Sequence, residues 1–205
     1  MLFAAPENRD ILIALLTAVL RPASPIRSVE VRNPEVTRRA VQDKGIVLDL
    51  LVELEDGTMF DVEMQAQKRP GFRNRALYYW ARIFAQVLPV GESYVALVPV
   101  ISVLFLDYEE FSRARMHSTF QILEVHDHER FSDRLEIHVI ELPKLAKLTD
   151  LERNAERDLV DWSRFLRANS DEEIREVCMH NPAIKKANQA LEALSARPKA
   201  RRLAR

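Results

Sequence analysis

The stretch GIVLDLLVELEDGTMFDVEMQ, residues 45–65, holds two alternating patterns separated by a turn signal. Within both patterns the even-numbered positions are apolar, and the acids fall at odd-numbered positions: Asp49, Glu53, Asp61 and Glu63. Successive side chains of a β-strand point to opposite faces, so the odd set of each strand shares one face. The stretch therefore predicts a β-hairpin whose acids lie on a single side of each strand.

The turn between the two strands decides whether the acids meet. A three-residue loop of Glu55, Asp56 and Gly57, with Gly57 in the left-handed conformation, is a common hairpin type and pairs Asp49 with Glu63. A two-residue turn would instead shift the register by one and separate the acids across the sheet. Two facing carboxylates repel unless a positive charge lies between them, and a divalent cation is the obvious candidate. The competing interpretation is a solvent-facing sheet surface with acids on it.

Composition sets the broad class of the chain. Its 205 residues are 47% hydrophobic and 30% charged, enough for one sizeable core with an appendage. The net charge of -1 does not predict a nucleic-acid partner, so such binding must rely on local patches. The single cysteine, Cys178, excludes a disulfide framework and fits a reducing cytoplasm. The apolar run at 11–20 follows acids and is too short to span a bilayer, so we expect a buried helix and no membrane partner.

The remaining patterns alternate between helix and strand periods. We expect a first helix ending near residue 20, a long amphipathic helix at 72–88 with Trp80 in its core stripe, and helices from 145 onward with breaks near 169–170 and 181–182. Further strands are predicted at 26–36, 94–106, 116–125 and 135–142, and the basic residues 197–205 are expected to form a disordered tail. This order predicts an α/β protein with a mixed sheet and helices on both sides.

Several pieces of this sequence, in this order, resemble one known family. They are Asn8 to Leu20, Asn33-Pro34-Glu35, Asp49, Asp56-Gly57, Glu63-Met64-Gln65, Arg75 to Ala81, Gly91 to Tyr94 and Ile137 to Lys144. Over roughly residues 3–180 the chain is similar to the PD-(D/E)xK nuclease superfamily, and more narrowly to its transposase branch of recombination-promoting nucleases. One departure from the superfamily is Gln65, because a lysine usually stands two residues after the second acid, although this branch commonly carries a glutamine there.

The resemblance implies a fold, an activity and partners. The fold is a restriction-endonuclease-like mixed sheet flanked by helices, divided into a nuclease-like core at 1–148 and a helical C-terminal extension with a basic tail at 149–205. The activity is Mg²⁺- or Mn²⁺-dependent hydrolysis of DNA phosphodiesters in the cytoplasm, with formation of a homo-oligomer left open. Two alternatives remain: a catalytically degenerate fold that binds DNA without cutting it, and an inactive remnant of a mobile element.

The same resemblance implies roles for the acid pair and its neighbours. Asp49 and Glu63 would hold the metal, with the backbone carbonyl of Met64 completing its coordination. Hard oxygen ligands of this kind suit Mg²⁺. Gln65 would orient a water or a phosphate by hydrogen bonding, since an amide carries no charge and cannot act as a base.

Four further residues are candidates outside the hairpin strands. Arg75 and Tyr79 lie one helical turn apart and would contact DNA phosphates, from a polar face turned either to solvent or to the cleft. Taken singly, they are more typical of an ordinary solvated helix face. Glu35 would bind a second metal, and Lys44 would stand in for the missing lysine.

Overall fold

The computed structural model describes residues 2–32 and 49–196. In these residues six strands alternate with helices and short 3₁₀ turns. The strands are β1 (Val29–Val31), β2 (Asp49–Leu54), β3 (Met59–Gln65), β4 (Val100–Leu106), β5 (His117–Phe120) and β6 (Leu135–Glu141). The α-helices are α1 (Arg9–Leu20), α2 (Phe72–Phe84), α3 (Asp150–Ala155), α4 (Arg157–Arg167), α5 (Asp171–His180) and α6 (Pro182–Ala196).

The strands form one mixed sheet in the order β1-β2-β3-β4-β6-β5. Its centre is parallel, because β4 pairs in parallel with both β3 and β6, while the outer pairs are antiparallel. Helix α2 makes the crossover between β3 and β4, as a parallel pair requires. The expected α/β fold, a mixed sheet flanked by helices with further helices at the C-terminal side, is confirmed.

The two faces of the sheet bury different helices. Even-numbered residues of β2 and β3, among them Leu50, Val52 and Val62, join the main core with α1 and the C-terminal helices. The opposite face packs Leu104, Leu106 and their neighbours on β6 against α2. The odd-numbered acids of the hairpin therefore lie on the α2 side of the sheet.

Helices begin and end at the capping residues and prolines that the sequence indicates. Helix α1 stops at Arg21, which takes a left-handed conformation and donates its backbone N–H to the carbonyl of Thr17 at 3.0 Å. Ser170 caps α5 by accepting from the backbone N–H of Glu173, and α6 begins at Pro182. The predicted breaks near 169–170 and 181–182 are confirmed.

Several predicted elements are longer than the observed ones. The apolar run at 94–106 becomes a strand only from Val100, because a 3₁₀ turn at Tyr94–Ala96 follows Ser93 and leaves Val95 89% exposed. Hydrophobicity alone does not distinguish such a turn from a buried strand. Helix α2 ends at Phe84 and β5 at Phe120. The strand predicted at 26–36 spans only Val29–Val31. Residues 33–36 of that prediction, like the tail at 197–205, lie outside the described residues.

The helices after residue 148 share the main core with the N-terminal segment. The ring of Trp162 on α4 lies 6.0 Å from that of Phe3, and both side chains are almost completely buried. Helix α1 packs against α4 and α6. The division into 1–148 and 149–205 stays a prediction.

Candidate active site

The hairpin has the register that places its acids opposite each other. Asp49 on β2 pairs with Glu63 on β3. The connecting loop closes with a hydrogen bond of 3.0 Å from the N–H of Gly57 to the carbonyl of Leu54, and Gly57 has φ 85°. A side chain at this position would be strained, and its Cβ would come within 3.2 Å of Val98. The three-residue loop and the pairing of the two acids, both predicted from the sequence, are confirmed.

Asp61 adds a third carboxylate to the same face of β3. Burial, together with the nearby charges of Glu63 and Asp49, raises the pKa of this carboxyl to about 7. Three acids therefore share one partly desolvated patch, which favours binding of a cation. The sequence placed Asp61 on this face by its odd number, but gave no reason to include it among the site residues.

Gln65 is buried and uses both ends of its amide. Its Oε1 accepts hydrogen bonds from the guanidinium of Arg75 and from the hydroxyl of Tyr108, the latter at 3.2 Å. Its Nε2 donates to Oε1 of Glu63 at 3.2 Å. Because an amide oxygen only accepts and an amide nitrogen only donates, these partners define one orientation of the side chain. Gln65 thus links Arg75 on α2 to an acid of the pair.

Tyr108 is a neighbour of the site that no pattern in the sequence had indicated. It follows the end of β4 by two residues, and β4 runs parallel to β3. Burial, followed by the charge of Glu110, raises the pKa of its hydroxyl to about 12, so it remains a hydrogen-bond donor. The available signal was its position, since polar side chains beyond the carboxyl ends of neighbouring parallel strands gather at one edge of the sheet.

The two residues predicted on α2 have different surroundings. Of the two settings left open by the sequence, Arg75 takes the cleft, where it is half-buried against Gln65. Tyr79 is 37% exposed and its ring contacts the edge of Tyr78 at 5.7 Å between centroids. The Trp80 stripe packs on the sheet as expected, and Nε1 of Trp80 donates to the carbonyl of Val100 at 2.8 Å.

The remaining predicted residues divide into one with a described position and two without. The side chain of Met64 packs into the main core on the opposite face, so it does not face the acid pair. Glu35 and Lys44 lie outside the described residues.

A buried ion pair fixes the loop that carries Tyr108. Glu141 at the end of β6 accepts the backbone N–H groups of Glu110 at 2.6 Å and Phe111 at 2.9 Å, and also Nζ of Lys144 at 2.5 Å. Lys144 in turn donates to the carbonyl of Phe111 at 2.8 Å. Both charged side chains are fully buried. Their hydrogen bonds hold the segment directly after Tyr108 against the sheet.

A family model for PD-(D/E)XK nuclease family transposases matches residues 1–205, the whole chain. The protein belongs to this family. The resemblance seen in the sequence is therefore confirmed, and the family gives the chain a nuclease-type function. There is no significant match to the chain among curated proteins, nor among solved structures.

The donor set of this PD-(D/E)XK protein fits a divalent metal held by few protein ligands. Across residues 2–32 and 49–196, no group of three or more His, Cys, Asp or Glu side chains is arranged to hold a metal ion. Asp49 and Glu63 nevertheless lie directly opposite each other, and Mg²⁺ commonly takes one or two carboxylates plus waters and phosphate oxygens. The pKa of Asp61 is raised first by burial and then by the charges of Glu63 and Asp49, which places a third acid beside this pair.

Among residues 2–32 and 49–196, no helix combines the length and the apolar character that crossing a bilayer requires.

Proposed function

We propose that the chain is a metal-dependent DNA endonuclease of the recombination-promoting, transposase-like type. One observation carries the proposal: Asp49 and Glu63 face each other across a hairpin in a chain that belongs to a nuclease family. Both side chains lie on the α2 side of the sheet and are half-buried, so part of each carboxylate would remain open to a DNA backbone.

Asp49 and Glu63 would hold Mg²⁺ or Mn²⁺, assisted by the backbone carbonyl of Met64. A metal bound there would supply an activated water and stabilise negative charge on the scissile phosphate. Gln65 would orient a water or a phosphate oxygen through its amide. It does not serve as a general base, because an amide has no proton affinity in the required range.

DNA would lie along the face of α2 next to the acid pair. Arg75 is near enough to the site to contact a phosphate close to the scissile bond, and exposed Tyr79 would contact the backbone one turn farther along. With a net charge of -1, the chain relies on such local contacts rather than on a general positive field. Glu35 as a ligand of a second metal and Lys44 as a substitute for the missing lysine remain part of the proposal, as do the cytoplasmic location and a homo-oligomer.

The experiment is nicking of supercoiled plasmid DNA with Mg²⁺ or Mn²⁺, repeated with excess EDTA. We expect cleavage with either metal and none with the chelator, since the acids alone cannot activate water. Glu63→Gln should abolish cleavage. The matched control is Glu53→Gln, because Glu53 lies on the same hairpin but forms an exposed ion pair with Arg32 at 2.5 Å. Cleavage that persists in Glu63→Gln at the level of this control would place the chemistry elsewhere.

The alternative is a degenerate nuclease fold that binds DNA without cutting it. An inactive mobile-element remnant is the third candidate. The salt dependence of DNA affinity separates these two, because a binding protein loses affinity steeply as salt rises while a remnant has little affinity to lose. A chain that binds DNA in this manner but cleaves none with either metal is the degenerate binder.

A further inference from the structure

We propose that Arg75 supplies, through Gln65, the positive charge that a lysine at position 65 would bring to the acid pair, and that Tyr108 holds Gln65 in the orientation this requires. The inference deepens the proposed function and rests on it. Arg75 and Tyr108 are positioning residues here, while Gln65 is the residue that touches Glu63.

The contacts form a chain from the helix to the acid. The guanidinium of Arg75 donates to Oε1 of Gln65, and Nε2 of the same amide donates to Glu63 at 3.2 Å. A hydrogen bond from a cation polarises the amide, which makes its N–H a better donor to the carboxylate. The positive charge of Arg75 therefore acts on the acid pair through the intervening amide of Gln65, whereas a lysine at 65 would act on it directly.

This arrangement makes the positions 65 and 75 electrically interdependent. A lysine at 65 would place its ammonium against the guanidinium that Gln65 now accepts from, in a half-buried cleft where like charges repel more strongly than in water. The half-buried cleft thus accommodates Gln65 and Arg75 because only one of the two side chains is cationic. Restoring lysine alone should be unfavourable, although the superfamily usually has lysine at that position.

Tyr108 is held independently of Gln65, so it can act as a fixed reference for the amide. The segment after it is anchored by the buried Glu141–Lys144 pair through the N–H groups of Glu110 and Phe111. Its hydroxyl must donate to Gln65, since the amide oxygen has no proton to give. Two donors at Oε1 leave Nε2 directed to Glu63.

A charge-exchange cycle in the metal-free protein tests the pairing. Melting temperatures are compared for the wild type, Gln65→Lys, Arg75→Gln and the double variant, all in EDTA. We expect Gln65→Lys to lower the melting temperature and the added Arg75→Gln to restore most of it, because the cleft again holds one cation. The control adds Arg82→Gln to Gln65→Lys, since Arg82 lies on the same helix but is exposed. Equal recovery with both arginine substitutions, or none with either, would overturn the proposal.

Metal affinity and kinetics then test whether the charge reaches the acid pair. Removing a nearby cation should tighten Mn²⁺ binding by roughly 3- to 10-fold in Arg75→Gln and leave the double variant near the wild type. Cleavage by Arg75→Gln should fall roughly 10²-fold in kcat, and the double variant should recover activity. Tyr108→Phe should lower kcat with little change in KM. Mn²⁺ affinity unchanged in Arg75→Gln would contradict the proposal.

The two proposals fail in different ways. A wild-type chain that binds no Mn²⁺ and cleaves no DNA contradicts the nuclease function. The metal-free cycle still decides whether Arg75 is coupled to position 65, and an additive cycle rejects that coupling even in an active enzyme.

Discussion

Two groups of buried or half-buried charged side chains share the α2 side of the sheet, and the charges around their acids are opposite in sign. Glu141 is fully buried but accepts from two backbone N–H groups and from Lys144. Asp61 has two further acids, Glu63 and Asp49, as its principal charged neighbours, and its pKa is raised to about 7. The first arrangement neutralises a charge to stabilise a loop. The second concentrates negative charge, which costs stability and favours a bound cation.

The first group stabilises the fold, whereas the second would serve a function. Removing one partner of a buried ion pair leaves the other charge buried without compensation, which strongly lowers the free energy of unfolding. A cluster of like charges is relieved when one member is removed. Substitutions in the two groups should therefore change stability in different directions, and only one group should change activity.

The largest effect is expected at the acid pair. Asp49→Asn should lower DNA cleavage by roughly 10³-fold, because a lost metal ligand removes several kcal/mol of charge stabilisation from the reaction. The free energy of unfolding should rise slightly, by less than about 1 kcal/mol, since repulsion with Glu63 and Asp61 is relieved. Cleavage rates and urea unfolding in EDTA measure the two quantities. A large loss of stability would show that Asp49 belongs to the structural group instead.

The next largest effect is expected at the structural pair. Lys144→Met should lower the free energy of unfolding by roughly 3 kcal/mol, because it leaves the charge of Glu141 buried without its counter-ion. Lys147→Met is the matched control, as Lys147 forms an exposed pair with Glu109 at 2.6 Å and should change stability by about 0.5 kcal/mol or less. Urea unfolding measures both variants. Equal changes would remove the distinction between the two groups.

Asp61 makes the free energy of unfolding depend on pH. Its pKa is raised from 3.8 to about 7, so the folded state holds a proton in this range that the unfolded state has released. The stability contribution of this group is therefore greatest at low pH and is lost as the pH rises from about 4 to 7. Asp61→Asn keeps the side chain neutral and should raise the free energy of unfolding by up to about 4 kcal/mol at pH 8 but by less than about 1 kcal/mol at pH 4. Equal stability of variant and wild type at pH 8 would mean that the acids are already compensated.

A neutral hydrogen bond on the same face provides the smallest effect. Trp80→Phe removes the donor to the carbonyl of Val100 and should cost about 1 kcal/mol, less than the loss of a charged partner. Tyr78→Phe is the control, since Tyr78 is 63% exposed. Thermal unfolding compares them. A loss at Trp80 as large as that at Lys144 would show that packing of α2, rather than charge, dominates this side of the sheet.

The sequence by itself determined the hairpin and the acids on it. Alternation assigns Asp49 and Glu63 to one parity, and Gly57 favours the loop that pairs them, because both rules act between near neighbours in the chain. Caps such as Ser170 and the proline at 182 likewise mark helix ends from local chemistry. The family pieces agreed with this local pattern, and the match over the whole chain supports them.

Only the tertiary structure decided which distant side chains meet these acids. Tyr108 reaches Gln65 because β4 runs parallel to β3, and Arg75 reaches it because α2 lies across the same face. Neither contact leaves a periodic signal, since each joins elements whose separation in sequence says nothing of their distance in space. The raised pKa of Asp61 has the same origin: parity gives its face, but burial depends on what the folded chain places above it. Periodicity describes one element at a time, whereas the electrostatics of a site depend on several elements packed together.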